Sequence, residues 1–456
     1  MARDADDATP ISSRRELVEW LEAGVKDPGR VTVGTEHEKI GFRKMTHAPI
    51  HYENAGVRAL IEGLAASLGW TAIRDGDRPI GLYDPKGGAA ISIEPGGQFE
   101  LSGAPLASLH ETKLERDAHF EAVAAIARPL GISFLDLGAS PKWSRAETPV
   151  MPKQRYRIMS DYMPKVGALG LDMMFRTATI QANLDFTSEA DMVRKFRAGL
   201  ALQPVVTALF ANSPFMDGKP TGALSQRSVI WRDTDASRTG MLPFVFEEGM
   251  GFERYVDYAL DVPMYFVKRA GVYHDVAGAS FRDLLAGHLP QLPGERATAS
   301  DWANHLSTIF PEVRLKTYLE MRGADAGPSA HILALPALFV GLFYDDSALD
   351  GALDLVSRWT AREREELRAA VPFQALQSRI KTRTLREVAL DMLALAREGL
   401  RRRALRDPSG ADESVYLAPL EAIAERGRPL ATERLEAYNG RWEKSVDPAF
   451  EECVLL

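Results

Sequence analysis

Residues 91–102, ISIEPGGQFELS, put two carboxylates into what must be a tight hairpin, and few folds can accommodate that. Ile91 and Ile93 alternate with Ser92 and Glu94, the period of a half-buried strand. Pro95-Gly96-Gly97 is turn chemistry, because proline fixes φ and glycine accepts positive φ. If these three residues are the loop, Glu94 lies opposite Gln98 and Ser92 opposite Glu100, so both acids share a face. A two-residue loop would place the acids on opposite faces. The shared site depends on that turn.

Three further segments repeat the pattern. In residues 31–39, VTVGTEHEK, Glu36 and Glu38 stand two apart on one strand face, with His37 on the other. Residues 311–322 alternate so that Arg314, Lys316, Tyr318, Glu320 and Arg322 share one face and Val313, Leu315, Leu319 and Met321 the other. Residues 173–186 place Thr177, Thr179, Gln181, Asn183 and Asp185 opposite Ala178, Ile180, Ala182, Leu184 and Phe186. Any one of these reads equally as the wet side of an antiparallel sheet. A solvent face, however, has no need of Glu-x-Glu without intervening cations, because like charges on one face repel. Gathered on one sheet, the four segments offer carboxylates, amides and guanidiniums, which suit magnesium and phosphate.

Composition narrows the classes. The 456 residues suffice for a full core and an appended subdomain. A net charge of −8 argues against nucleic acid or an anionic membrane as partner. Arg401, Arg402 and Arg403 end a helix-like stretch and complement its dipole. The opening residues 1–7 are acidic and lack an apolar run, so no secretory signal is expected. The longest apolar run, 332–344, is too short to span a bilayer. One cysteine, Cys453, excludes an internal disulfide and a cysteine-rich zinc site. The expectation is a soluble protein of a reducing, cytoplasmic setting, monomeric or weakly dimeric.

Ser13-x-x-Glu16 and Ser188-x-x-Asp191 open helices, the second running toward Phe210. Residues 54–68 and 106–130 also read as helices, 132–137 as a short strand, and the pattern after Ala330 is helical almost to the end. Residues 213–251 form a long Gly- and Pro-punctuated stretch, which within a compact domain points to function. Strands with polar faces and hairpin turns, interleaved with helices, predict an α+β fold with a mainly antiparallel sheet. No P-loop occurs, and His37 has no histidine four residues on, so neither that phosphate cradle nor a zincin site is present.

At GTEHEK (34–39), IEPGGQFELSG (93–103), MPKVG (163–167), LGLDMMFRT (169–177), DVPMYF (261–266) and EMRGAD (320–325) the chain resembles the glutamate–cysteine ligases of the plant and proteobacterial type. The resemblance implies a glutamine-synthetase-like cupped sheet surrounded by helices, with residues 1–345 catalytic and 346–456 a helical region packed on them. It implies ATP and magnesium as cofactors, and glutamate and cysteine joined through a γ-glutamyl phosphate. Matching motifs makes Glu36, Glu38, Glu94, Glu100 and Glu320 the metal acids, with Gln181 completing the set. Glu36, Glu100 and Arg322 would serve catalysis, and Glu320, Arg322 and Lys316 the nucleotide. Arg176, Thr177, Thr179, Arg227 and Trp231 are the candidates for the amino-acid substrates. The alternatives are a glutamate ligase using another amine, or a metal-dependent phosphohydrolase. Plant members carry regulatory disulfides, a mode of control that a chain with Cys453 alone does not support.

Overall fold

The computed structural model describes residues 7–456. Nine strands make the main sheet: β1 (Val33–Arg43), β2 (Thr71–Asp75), β3 (Arg78–Tyr83), β4 (Ala90–Ile93), β5 (Phe99–Ser102), β6 (Ile132–Leu135), β7 (Thr179–Leu184), β8 (Val313–Leu315) and β9 (Leu319–Asp325). Their order is β8-β9-β7-β1-β5-β4-β3-β2, every pair antiparallel, and β6 joins the far end of β1. Short connections between neighbours favour this meander at the β2–β5 end.

The hairpin at residues 91–102 is built on a three-residue turn. Ser92 pairs with Glu100, Glu94 N–H donates to Gln98 O at 2.9 Å, and Gly97 holds φ +89°. Register then decides which side chains share a face. Glu36 faces Gln181 and Ser102 across β1, Glu38 faces Glu100, and Glu320 faces Asn183. The polar residues of five strands therefore lie on one side of the sheet. On the other side lie Val33, Ile91, Ile93, Phe99, Leu101, Ile180, Ala182, Leu184, Leu319 and Met321, all buried.

Helices cover that apolar side. Ser108 and Glu111 form a capping box for Leu109–Ala127, Ser13 caps Arg14–Glu22, and Ser188 caps Glu189–Phe210. Val57–Leu68 packs on the β3 side, while Glu189–Phe210 and Ser329–Phe343 pack under β9 and β7. The helices beyond residue 345 join the same core, Leu385–Arg403 lying against Ser329–Phe343. The chain end returns to the sheet, where Val454 bridges Leu135. Among the described residues no single helix is long and apolar enough to cross a membrane.

Two segments depart from the expected strands. Residues 311–322 are a hairpin, not one strand: Leu315 pairs with Leu319, and Lys316, Thr317 and Tyr318 make the turn. A three-residue loop preserves parity, so Arg314 still faces Glu320. The segment from residue 173 starts inside a helix, Gly170–Arg176, and becomes strand only at Thr179. The stretch 213–251 is not structureless, holding the helix Gln226–Trp231 and the 3-10 turn Pro243–Phe246.

Candidate active site

The polar face opens into two cavities on either side of the sheet centre. The larger, about 490 Å³, is lined by Glu36, Asn183, Asp185, Ser102, Tyr83, Tyr318 and Lys26. The smaller, about 90 Å³, is lined by Glu38, Glu94, Gln98, Arg155, Tyr156, Thr177, Thr179, Arg227, Trp231 and Arg322. Glu36 and Glu38, two residues apart on β1, thus serve different cavities.

Glu36 accepts from Asn183 Nδ2 at 2.8 Å, and burial pushes its carboxyl above the usual range. Glu38 accepts from Thr179 N–H at 3.0 Å. Burial first, then the neighbouring Glu100 and Glu94, pushes it well above the usual range. Glu100 accepts from the Ser92 hydroxyl at 2.7 Å and the Ser102 hydroxyl at 3.0 Å and lines neither cavity. Glu94 sits where β4 enters the hairpin turn, at the wall of the smaller cavity.

Glu320 is a different kind of acid. It is fully buried, which alone would raise it. Arg314, Lys316 and Arg322 around it instead hold it well below the usual range. Arg314 grips it through both terminal oxygens at 2.7 and 2.8 Å, Lys316 Nζ lies 2.8 Å away, and Arg322 Nη1 donates to it. Arg322 also donates to Gln181 Oε1 at 2.5 Å and stacks over Trp231 and Phe310. Glu320 and Gln181 are therefore engaged by cations, and Lys316 is held in the β8–β9 turn by Glu320 rather than facing the open cavity. The six-member metal set does not converge. Among the described residues no three His, Cys, Asp or Glu side chains gather to hold an ion by themselves.

Arg227 is buried beside Glu38 and Asp325, and burial lowers its pKa from the ordinary arginine value. Its Nη2 donates to Arg322 O at 2.9 Å, and its guanidinium lies 5.6 Å from the Trp231 ring centre. Thr179 and Thr177 reach the cavity, but their hydroxyls donate to Ala324 O and Met173 O. Arg176 does not line the cavity. It donates to Asp172 Oδ1 at 2.7 and 2.9 Å and to Asp217 at 2.5 Å, bracing its own helix. Arg155 and Gln98 belong to the cavity and were missed. Gln98 Nε2 holds Thr177 O at 2.8 Å; Arg155 comes from the helix Gln154–Tyr162, outside the strands whose alternation marked the site.

A sheet face that sets clustered acids and buried guanidiniums around open cavities is one on which an enzyme binds small charged molecules. The comparisons with known proteins agree. Residues 32–452 match the model for glutamate-cysteine ligase family 2. The chain is 54% identical over 447 residues to the chloroplastic glutamate–cysteine ligase of Arabidopsis thaliana, covering 98% of this chain and 84% of that one. It is 52% identical over 451 residues to chloroplastic glutamate–cysteine ligase B of Oryza sativa subsp. japonica, covering 99% and 89%. The crystal structure of a Francisella tularensis glutamate–cysteine ligase in complex with AMP shares the fold at TM-score 0.51 and 13% identity, covering 87% of this chain and 82% of that one. The chain belongs to the glutamate–cysteine ligase family and is a ligase. The cytoplasmic setting expected from the single cysteine and the lack of a secretory signal is corrected by these relatives, which are chloroplastic enzymes.

Proposed function

We propose that the protein joins the γ-carboxylate of L-glutamate to the amine of L-cysteine at the expense of ATP, giving γ-glutamylcysteine, the first step of glutathione synthesis. The observation that carries this reading is the pairing of a nucleotide-sized cavity at Glu36 with a small guanidinium-lined cavity at Glu38, one strand serving both. A γ-carboxylate oxygen of glutamate attacks the γ-phosphorus of ATP and ADP leaves. The cysteine amine then attacks the acyl carbon, inorganic phosphate leaves with the bonding pair, and the amine loses its proton. Phosphoryl transfer asks the chain mainly for positioning and charge neutralisation. Arg322 supplies fixed positive charge at the cavity wall, oriented by Gln181 and Glu320. Arg227 and Trp231 take the amino acid, and the hydrophobic floor from Met173 and Met174 excludes water.

Magnesium fits the donors present. Glu38, Glu94 and Glu100 are hard oxygen ligands whose mutual repulsion a divalent cation would relieve, and Glu36 offers another. Two or so carboxylates per ion suffice, because magnesium keeps waters and phosphate oxygens in its shell. Such an ion would neutralise the phosphate charge as it develops. In this reading residues 1–345 form the catalytic unit, the helices of 346–456 brace it, and the protein acts on small molecules as a monomer or weak homodimer. ADP release tests the proposal: it should require glutamate, rise with cysteine, and stay low with other amines. Equal release without either amino acid would mark a phosphohydrolase instead.

A further inference from the structure

The strand β9 does not run straight past the site. Met321 stands opposite Ala182 and Ala324 opposite Ile180, so Arg322 and Gly323 together face the single residue Gln181, a β-bulge. Without it Gly323 would stand opposite Ile180 and Ala324 opposite Thr179. With it Ala324 closes on Ile180, and Asp325 takes the place across from Thr179. An extra residue in one strand leaves backbone groups without ladder partners, and buried ones must be met elsewhere. Gly323 N–H donates to Gln203 Oε1 at 2.8 Å, and its carbonyl accepts from the Thr207 hydroxyl at 3.0 Å. Both come from the helix Glu189–Phe210, one turn apart and therefore on one face. From Ala198 to Phe210 every other residue of that helix is apolar, and all are buried. Burying an amide and a hydroxyl there costs stability unless they are bonded, so packing alone would favour apolar residues. The fit is close: a Cβ at Gly323 would lie 2.3 Å from Gln203 Oε1. The residue held by these bonds is Arg322. Its N–H donates to Glu312 O at 3.1 Å, its carbonyl accepts from Arg227 Nη2 at 2.9 Å, and its side chain reaches Gln181 Oε1 at 2.5 Å.

We infer that Gln203 and Thr207 are positioning residues that pin the bulge and so aim the Arg322 guanidinium into the smaller cavity; what Arg322 does there rests on the ligase reading above. The test compares γ-glutamylcysteine formation by the full-length parent, Thr207→Val, Thr207→Ser, Gln203→Leu and Val205→Ala. Thr207→Val keeps the shape and loses the hydroxyl. It should lower kcat by roughly 10- to 100-fold, the cost of misplacing a group in the site from a distance. Gln203→Leu should fall in the same range. Thr207→Ser, which keeps the donor, should stay within about threefold of the parent. Val205 is fully buried on the far side of the same helix, so Val205→Ala should lower the melting temperature yet keep kcat within about twofold. Residues that act through Arg322 are non-additive with it, so in an Arg322→Lys background Thr207→Val should cost less than about threefold. An undiminished cost there, a kcat kept by both Thr207→Val and Gln203→Leu, or an equal loss in Val205→Ala would overturn the inference. Should Gln203→Leu not fold, Thr207→Val alone decides. If the parent makes no γ-glutamyl product, the ligase reading fails separately. Crystal structures of the parent and Thr207→Val then judge the bulge, as they do if Arg322→Lys is inactive. In the variant the Arg322 guanidinium should leave Gln181; an unmoved guanidinium would overturn the inference.

Discussion

Glu38 and Glu320 stand on the same sheet face, yet they are opposite kinds of buried acid. Glu38 has other acids for neighbours and Glu320 has three cations, so the same substitution should act differently on each. Glu38→Gln should leave the melting temperature unchanged or raised, since it relieves like charge. Steady-state kinetics should show kcat reduced by about 2–4 kcal/mol in activation free energy, with a raised magnesium requirement. Glu320→Gln leaves Arg314, Lys316 and Arg322 without their counter-charge, and denaturant unfolding should show about 3–5 kcal/mol lost. Glu115 gives the pH dependence. Burial pushes its carboxyl up to about 7, while its free value is 4.5. The folded chain therefore binds more protons between these pH values, and stability falls as pH rises from about 4.5 to about 7. Glu115→Gln keeps an acceptor for Ala104 N–H and should gain about 1–2 kcal/mol above pH 7 and nothing at pH 4. Thermal melts at both pH values check this.

At the scale of elements, the hairpin turn sets the site. Gly96 lies against Phe175 O, and a Cβ there would sit 2.0 Å from that oxygen. Gly96→Ala should displace the β4–β5 tip and Glu94 with it, lowering kcat/KM at least about tenfold and stability by about 1–3 kcal/mol. An unchanged rate would detach the tip from the site. Parity made most of this face legible in the sequence: Glu36, Glu38, Glu94, Glu100, Gln181 and Glu320 do share it. The error over residues 311–322 was harmless, because a three-residue loop preserves parity. What sequence could not show is which acids are compensated. Arg314 and Lys316 looked like part of an open binding face, but their register across from Glu320 makes them its partners. Arg176 was misplaced because its segment is helical and its charge is taken by Asp172, four residues back.

For the whole molecule, the C-terminal tail is structural. Cys453 is buried, Arg434 Nη1 donates to its sulfur at 2.6 Å, and the same arginine holds Asp136 and Asn212. Burial pushes the thiol up to about 12, so the thiolate is scarce at neutral pH. Activity should not respond to dithiothreitol or mild oxidants. Thiol titration should find no reactive cysteine in the native protein and one after denaturation; a native thiol that reacts quickly would restore a redox switch to consideration. In the proposed reaction one sheet face brings glutamate and ATP together to make a γ-glutamyl phosphate. Isotope transfer tests it most directly, with glutamate labelled by oxygen-18 in its γ-carboxylate, ATP, magnesium and cysteine. One labelled oxygen should appear in the inorganic phosphate for each γ-glutamylcysteine formed. Phosphate released without label while ADP accumulates would rule out the acyl phosphate.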